Sequence, residues 1–172
     1  PSTNNMERIL FVTVGTTLFD PLIRIVASSP FLRLVKELGF TTVRVQYGKG
    51  EFIPFLEERS VSGIACESYR FKPSLQDDVQ SASLIISHAG AGSIMEALTA
   101  GKKIIVVIND TLMHNHQWEV AYALAQSRYL KYVDSPSELL ERNGQLIRDV
   151  SSDQYKPQLF PVGDVKAFPK LL

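Results

Sequence analysis

Residues 84–98 read LIISHAGAGSIMEAL. Three apolar residues, Leu84-Ile85-Ile86, lead into Ser87 and His88. Glycines follow at positions 90 and 92, and Ser93 and Glu96 then sit inside an apolar pattern of helical spacing. An unbroken apolar run that ends in polar residues and glycine reads as a strand covered on both faces. The pattern after it reads as a helix from Ser93 to Ala100, closed by Gly101. A buried strand that passes through glycines directly into a helix is the repeating unit of a parallel α/β sheet.

The same alternation extends in both directions. Ile9–Val14 (ILFVTV) is an apolar, β-branched strand ending at Gly15. Phe31, Leu34, Val35 and Leu38 have helical spacing before Gly39. Thr42–Gly48 (TVRVQYG) alternates as a second strand, and Ile64–Phe71 is a weaker third. Leu75–Ala82 reads as a short helix. Beyond residue 98, Lys103–Asp110 (KIIVVIND) is a strand, Trp118, Ala121, Tyr122 and Ala125 mark a helix, and Tyr129–Val133 is a last strand. Ser135-Pro136-Ser137-Glu138 is a capping box with proline at the first helical position, opening a helix to about Ile147. The expected fold is α/β, a single doubly wound, Rossmann-like and mainly parallel sheet of about six strands. Residues 1–5 (PSTNN) are polar and are set apart as a remnant ahead of the domain. The domain spans 6–150. Residues 151–172, with Pro157, Pro161 and Pro169 among scattered aromatics, are expected to form a tail docked on the domain or on a partner.

Composition narrows the function. A chain of 172 residues suits one domain with a real core. Eighteen basic residues balance eighteen acidic ones, which gives no electrostatic basis for nucleic acid binding. No apolar run approaches the ~20 residues of a bilayer span. The single cysteine, Cys66, rules out an internal disulfide, suits a reducing compartment and reads as a small buried hydrophobe.

In open α/β sheets ligands bind outside the carboxyl ends of the strands. Here those ends are Val14–Thr17 (VGTT), Gln46–Gly50 (QYGKG), Ser87–Ser93 (SHAGAGS) and Asn109–Gln117 (NDTLMHNHQ). Glycines allow close approach of backbone N–H groups to an anion, and a helix beginning near Ser93 adds its positive end, so a phosphate or diphosphate is the expected occupant. The pattern is neither G-x-x-x-x-G-K-S/T nor the dinucleotide G-x-G-x-x-G. Two blander readings stand beside this. Ser93-x-x-Glu96 matches a capping box, and His88 suits a hydrogen-bonded structural histidine. His114 and His116, two apart, point in poorly matched directions for a shared metal, so no metal or cofactor is expected.

The segments FVTVGTT, SASLIISHAGAGSIMEAL and VVINDTLMHNHQ resemble the asparagine-linked glycosylation protein thirteen family, the cytosolic subunits of the dolichol-linked UDP-GlcNAc transferase. The resemblance runs from about Ile9 to Tyr129. It implies the C-terminal, donor-binding half of a GT-B glycosyltransferase, with UDP-GlcNAc as donor. The implied partner is a membrane-anchored acceptor-binding subunit, asparagine-linked glycosylation protein fourteen, on the cytosolic face of the endoplasmic reticulum. The implied reaction adds the second GlcNAc to the lipid diphosphate acceptor GlcNAc-diphosphate-dolichol, β1,4 and with inversion.

The resemblance also implies residue roles. Glu96 holds the ribose hydroxyls. Gly90, Ala91, Gly92 and Ser93 hold the diphosphate, with His88 beside it. Asn115, His116 and Gln117 meet the sugar, and Phe71 marks the uracil side. Gly15, Thr16 and Lys49 are further donor-side candidates. His88 and His116 are the catalytic candidates, while the base is expected from the partner or the interface. Other readings are a bacterial-type exopolysaccharide transferase subunit, a UDP-sugar epimerase or hydrolase, and a nucleotide-binding regulatory subunit.

Overall fold

The computed structural model describes residues 6–56, 60–61, 63–109 and 117–161. The chain runs β1 (Ile9–Thr13), α1 (Asp20–Val26), α2 (Ser29–Glu37), β2 (Thr42–Gln46), β3 (Ser60–Val61), β4 (Ile64–Tyr69) and α3 (Gln76–Ser81). It continues β5 (Leu84–His88), α4 (Ala91–Thr99), β6 (Ile104–Val107), α5 (Gln117–Gln126), β7 (Lys131–Val133), a 3-10 turn (Pro136–Leu140) and α6 (Glu141–Ser151). The strands form one sheet in the order β3-β4-β2-β1-β5-β6-β7. Six of them are parallel, as expected, and the two-residue β3 adds antiparallel to β4 at one edge.

The strands β1, β5 and β6 are buried along their whole length because both faces are covered. Successive residues of a strand serve opposite layers. Leu10 and Val12 pack with Leu22 and Ile23 of α1, Phe31 of α2 and Ile147 of α6. Phe11, between them, packs on the other side with Val79 of α3, Ile94 of α4 and Leu124 of α5. The chain starts at the central β1, moves outward to β2 and β4, then returns to β5 on the far side of β1. The connections leaving β1 and β5 therefore diverge to opposite faces. The crevice between them, at the carboxyl ends, is the place where such sheets take ligands.

Three local features differ from the sequence reading. α1 occupies DPLIRIV, where a proline in the first turn and the acidic Asp20 are helix-start signals that its short apolar stripe obscured. Glu138 does accept the backbone N–H of Ser135 at 2.9 Å, but the segment it starts is a 3-10 turn. One continuous helix to Ile147 is interrupted because Arg142, Asn143 and Gly144 are left-handed, at φ 51, 56 and 70°. A Cβ on Gly144 would lie 2.2 Å from Leu34 Cδ2, so glycine here lets the chain close onto α2.

After α6 the chain passes under the amino ends of the strands. Lys103, just ahead of β6, donates to the carbonyls of Val150 and Ser152 at 3.0 and 2.8 Å, and Arg8, just ahead of β1, to that of Ser151 at 2.7 Å. Gln158 N–H then bonds the Arg128 carbonyl at 2.8 Å. Phe160 is buried edge-on against Tyr129 in the opposite layer. The tail thus straps one helical layer to the other as far as Phe160. Val162–Leu172 lie outside the described residues. Among the described residues no helix is long and apolar enough to cross a membrane.

Candidate functional site

His88 ends β5, and its ring fills the floor of the crevice with only 9% exposure. Glycines flank it on both sides. A Cβ on Gly15 would stand 2.7 Å from His88 Nε2, and one on Gly90 2.3 Å from Cε1. Gly15 is also left-handed, at φ +63°. These two glycines therefore make room for the imidazole. His88 Nε2 lies 3.1 Å from Ser93 Oγ. Burial pushes the imidazole pKa down to about 4, so at neutral pH the ring is a hydrogen-bonding group without charge.

α4 starts two residues earlier than its sequence suggests. Gly90 is the N-cap in an extended conformation, with no side-chain cap. Ser93 therefore lies within the first turn, and Ser93-x-x-Glu96 is not a capping box. The first intrahelical bond runs from Ile94 N–H to the Gly90 carbonyl at 3.0 Å. The amides of Ala91, Gly92 and Ser93 precede it and form the positive end of the helix. Glu96 is exposed one turn further on. A Cβ on Gly92 would meet nothing within 4 Å. The protein's own packing does not require that glycine. Gly92, Met95 and Glu96 line one side of a groove of about 430 Å³, and Gln76, Val79 and Gln80 of α3 line the other.

The neighbouring loops are tied to one another. Lys49 N–H bonds the Thr17 carbonyl at 3.0 Å. Gly48, at φ +65°, brings the backbone so close that a Cβ would lie 2.2 Å from that same oxygen. Arg70, which follows β4, donates from Nη1 to the carbonyls of Gly48 and Gly50, both at 2.9 Å, and lies 4.9 Å from the Tyr47 ring centre. Beneath them the Gln46 side chain is 1% exposed and bonds both to the β1 loop and to the Arg70 carbonyl.

A second polar cluster fixes the start of α3. The buried Asp78 carboxylate accepts from Arg44 Nη1 at 3.0 Å, from Lys72 Nζ at 3.1 Å and from the Tyr69 hydroxyl. Burial alone would raise the pKa of Asp78. Hydrogen bonds from Tyr69 and Lys72, with the charges of Lys72 and Arg44, bring it below the ordinary value. Burial and the Asp78 contact push Tyr69 well up. This cluster anchors both ends of the segment carrying Phe71, which is half exposed.

Of the residues expected to form a site, Gly15, His88, Gly90 and Ser93 meet around one crevice, with Ala91 and Gly92 on its rim. Thr16, Lys49 and Phe71 are exposed on the adjoining strand-end loops, and Glu96 projects from α4. Gln117 opens α5. Its side chain, with Asn115 and His116, lies outside the described residues. Gln46 and Asp78 went unrecognised. The available signals were a long polar residue closing the apolar strand TVRVQ and a buried acid on a short helix.

The glycosyltransferase family 28 C-terminal domain model matches residues 9–158. Human UDP-N-acetylglucosamine transferase subunit ALG13 is 45% identical over 125 residues, covering 73% of this chain and 11% of the human protein. The chain therefore spans about a tenth of that relative. The Saccharomyces cerevisiae protein of the same name is 30% identical over 196 residues, covering 96% of this chain and 95% of the yeast protein. An NMR solution structure of ALG13 superposes with TM-score 0.68 at 26% identity, covering 96% of this chain and 95% of that one. MurG of Acinetobacter baumannii superposes with TM-score 0.64 at 19% identity, covering 85% of this chain and 43% of that one, a likeness of fold.

Proposed function

The chain belongs to the glycosyltransferase family 28 C-terminal domain family, and on that premise we propose that it is the donor-binding subunit of a UDP-N-acetylglucosamine transferase. The observation that carries the reading is the vacant Cβ position at Gly92, beside the first-turn amides of α4 and the Ser93 hydroxyl. A diphosphate fits such a place, where N–H dipoles are preorganised and no side chain intrudes. Glu96, exposed in the adjoining groove, is suitably placed to accept hydrogen bonds from the ribose hydroxyls.

In this reading the protein contributes three things to an inverting displacement. First-turn amides and Ser93 stabilise charge that grows on the departing UDP. His88, neutral, orients Ser93. Asn115, His116 and Gln117 hold the sugar for in-line attack. The acceptor is GlcNAc-diphosphate-dolichol, and the product carries its second GlcNAc in β1,4 linkage. The acceptor half of the cleft comes from the membrane-anchored asparagine-linked glycosylation protein fourteen, which holds the complex on the cytosolic face of the endoplasmic reticulum. The base that deprotonates the acceptor O4 comes from that partner or from the interface, with His116 as the candidate from this chain.

Transfer of radiolabelled GlcNAc to a lipid diphosphate acceptor, with and without the membrane subunit, tests the proposal. The expected result is transfer by the pair and almost none by either chain alone. Full-rate transfer by this chain alone would overturn the two-subunit reading, and no transfer by the pair would overturn the activity.

A further inference from the structure

We propose that Gln46 is the positioning residue that sets the spacing between the phosphate side and the base side of the donor site, an inference that rests on the donor-binding reading above. Gln46 closes β2, and among the described residues its side-chain amide makes five hydrogen bonds. Oε1 accepts from Thr13 Oγ1 at 2.5 Å, from Val14 N at 3.1 Å and from Gly15 N at 2.8 Å. Nε2 donates to the Gly15 carbonyl at 2.6 Å and to the Arg70 carbonyl at 2.7 Å.

The partners fix which end of the amide is oxygen, because one end faces N–H and O–H donors and the other faces two carbonyls. No other side chain of this length offers acceptor and donor together. A glutamate would keep the acceptor end and set a carboxylate oxygen against two carbonyl oxygens. An apolar residue would strand buried polar backbone.

The bonds join two places that the backbone ladder does not. Gly15 lies against the His88 ring and precedes Thr16. Arg70 precedes Phe71 and grips the Gly48–Gly50 loop. Along the sheet, β1 and β4 are separated by β2, so among the described residues their strand-end loops are joined through Gln46 at the end of β2, beside the outer contacts of Lys49 with Thr17 and of Arg70 with Gly48 and Gly50. Gln46 thus links the loop flanking the proposed diphosphate position to the loop flanking the proposed uracil position. A ligand gripped at both ends, as UDP would be, depends on that distance, whereas one held by its diphosphate alone, as ADP would be, does not.

The test is calorimetric titration of the full chain with UDP and with ADP, alongside thermal melting. The wild type is expected to bind UDP in preference to ADP. If it binds neither, the donor-binding reading itself fails, and this inference with it. Given wild-type binding, Gln46→Glu is expected to weaken UDP about tenfold, the size of one or two lost hydrogen bonds, and to shrink the UDP-to-ADP preference severalfold. A merely structural role would lower both affinities by the same factor, the folded fraction, and leave their ratio unchanged. An unchanged ratio therefore overturns the positioning role while the donor-binding reading stands. If Gln46→Glu does not fold, Thr16→Ala, Phe71→Ala and their double variant answer the question with Gln46 intact. Loops joined through Gln46 give losses in UDP affinity that depart from additivity, and strict additivity overturns the proposal.

Discussion

Gln46 meets Gly15 twice, accepting its N–H at 2.8 Å and donating to its carbonyl at 2.6 Å. Both polar groups of one glycine are thereby fixed by a single buried side chain. This holds Gly15 in its left-handed conformation, and the space beside it is taken by the His88 ring. The floor of the crevice is thus a stack of three residues from three different strand ends: Gln46, Gly15 and His88. Gln46 and His88 close β2 and β5 and Gly15 follows β1, so their meeting comes from the order of strands in the sheet, not from any one segment.

The two glycines at the start of α4 should respond oppositely to alanine. Gly90→Ala drives a methyl to 2.3 Å from His88 Cε1 and should cost about 1–3 kcal/mol of stability by overpacking. Gly92→Ala meets nothing and lies in a helix, so it should stabilise by about 0.5–1 kcal/mol. The same methyl would occupy the proposed diphosphate position. Chemical denaturation and UDP titration should therefore show a sturdier Gly92→Ala protein that binds UDP poorly. Wild-type UDP affinity in that variant would put the diphosphate elsewhere.

Glu96→Gln should leave unfolding free energy within about 0.5 kcal/mol, since the exposed carboxylate caps no helix terminus. UDP binding should weaken by about 1.5–3 kcal/mol if the carboxylate accepts a ribose hydroxyl. Titration with UDP measures this directly. An unchanged affinity would leave Glu96 an ordinary solvated side chain.

Stability should rise with pH between about 4 and 6.5 through His88. The folded pKa is about 4 because the ring is buried, and the unfolded value is near 6.5. Between these values the unfolded chain holds a proton that the folded one lacks. Above 6.5 both forms are neutral and the contribution is complete. As pH falls toward 4 it is lost, by about 3 kcal/mol at most. Urea unfolding across this range, compared with His88→Asn, should show a shallower pH slope in the variant. Equal slopes would mean that His88 titrates normally.

Much of this was legible from residue patterns, and the gaps have physical causes. The apolar runs at Ile9–Thr13, Leu84–His88 and Ile104–Val107 announced a sheet covered on both faces, because burial on two sides leaves no polar alternation. Glycines at 15 and 90 marked the crevice, though their reason, the His88 ring, is a contact between residues 73 and 2 positions apart that spacing does not reveal. The start of α4 was misplaced because Ser93-x-x-Glu96 imitates a capping box, while the actual cap, Gly90, has no side chain to advertise it. The Gln46 clamp was invisible because its partners are mostly backbone groups, which every sequence possesses.

Shortening the tail should have a threshold at Phe160. Phe160→Ala, or an end placed before Gln158, should cost about 3 kcal/mol by emptying the space beside Tyr129. An end placed just after Pro161 keeps the Phe160–Tyr129 contact, so its melting temperature set against that of the full chain measures what residues 162–172 add. If that shorter chain also fails to co-purify with the proposed membrane subunit, residues 162–172 carry the partner contact. If it still binds the partner normally, the contact lies elsewhere.

The strap beneath the sheet also decides where a passenger can be attached. Pro161 follows Phe160, which packs at the pole formed by the amino ends of the strands, and the crevice opens at the other pole. Five-residue strands put the two poles about 17 Å apart. A dye joined directly at position 161 therefore sits on the hemisphere away from the crevice, whereas one carried by the exposed Lys49 sits beside it. Nucleotide-dependent quenching should therefore be strong for the dye at position 49 and weak for the one at 161, and the two attachment points make a ruler for the distance between the poles.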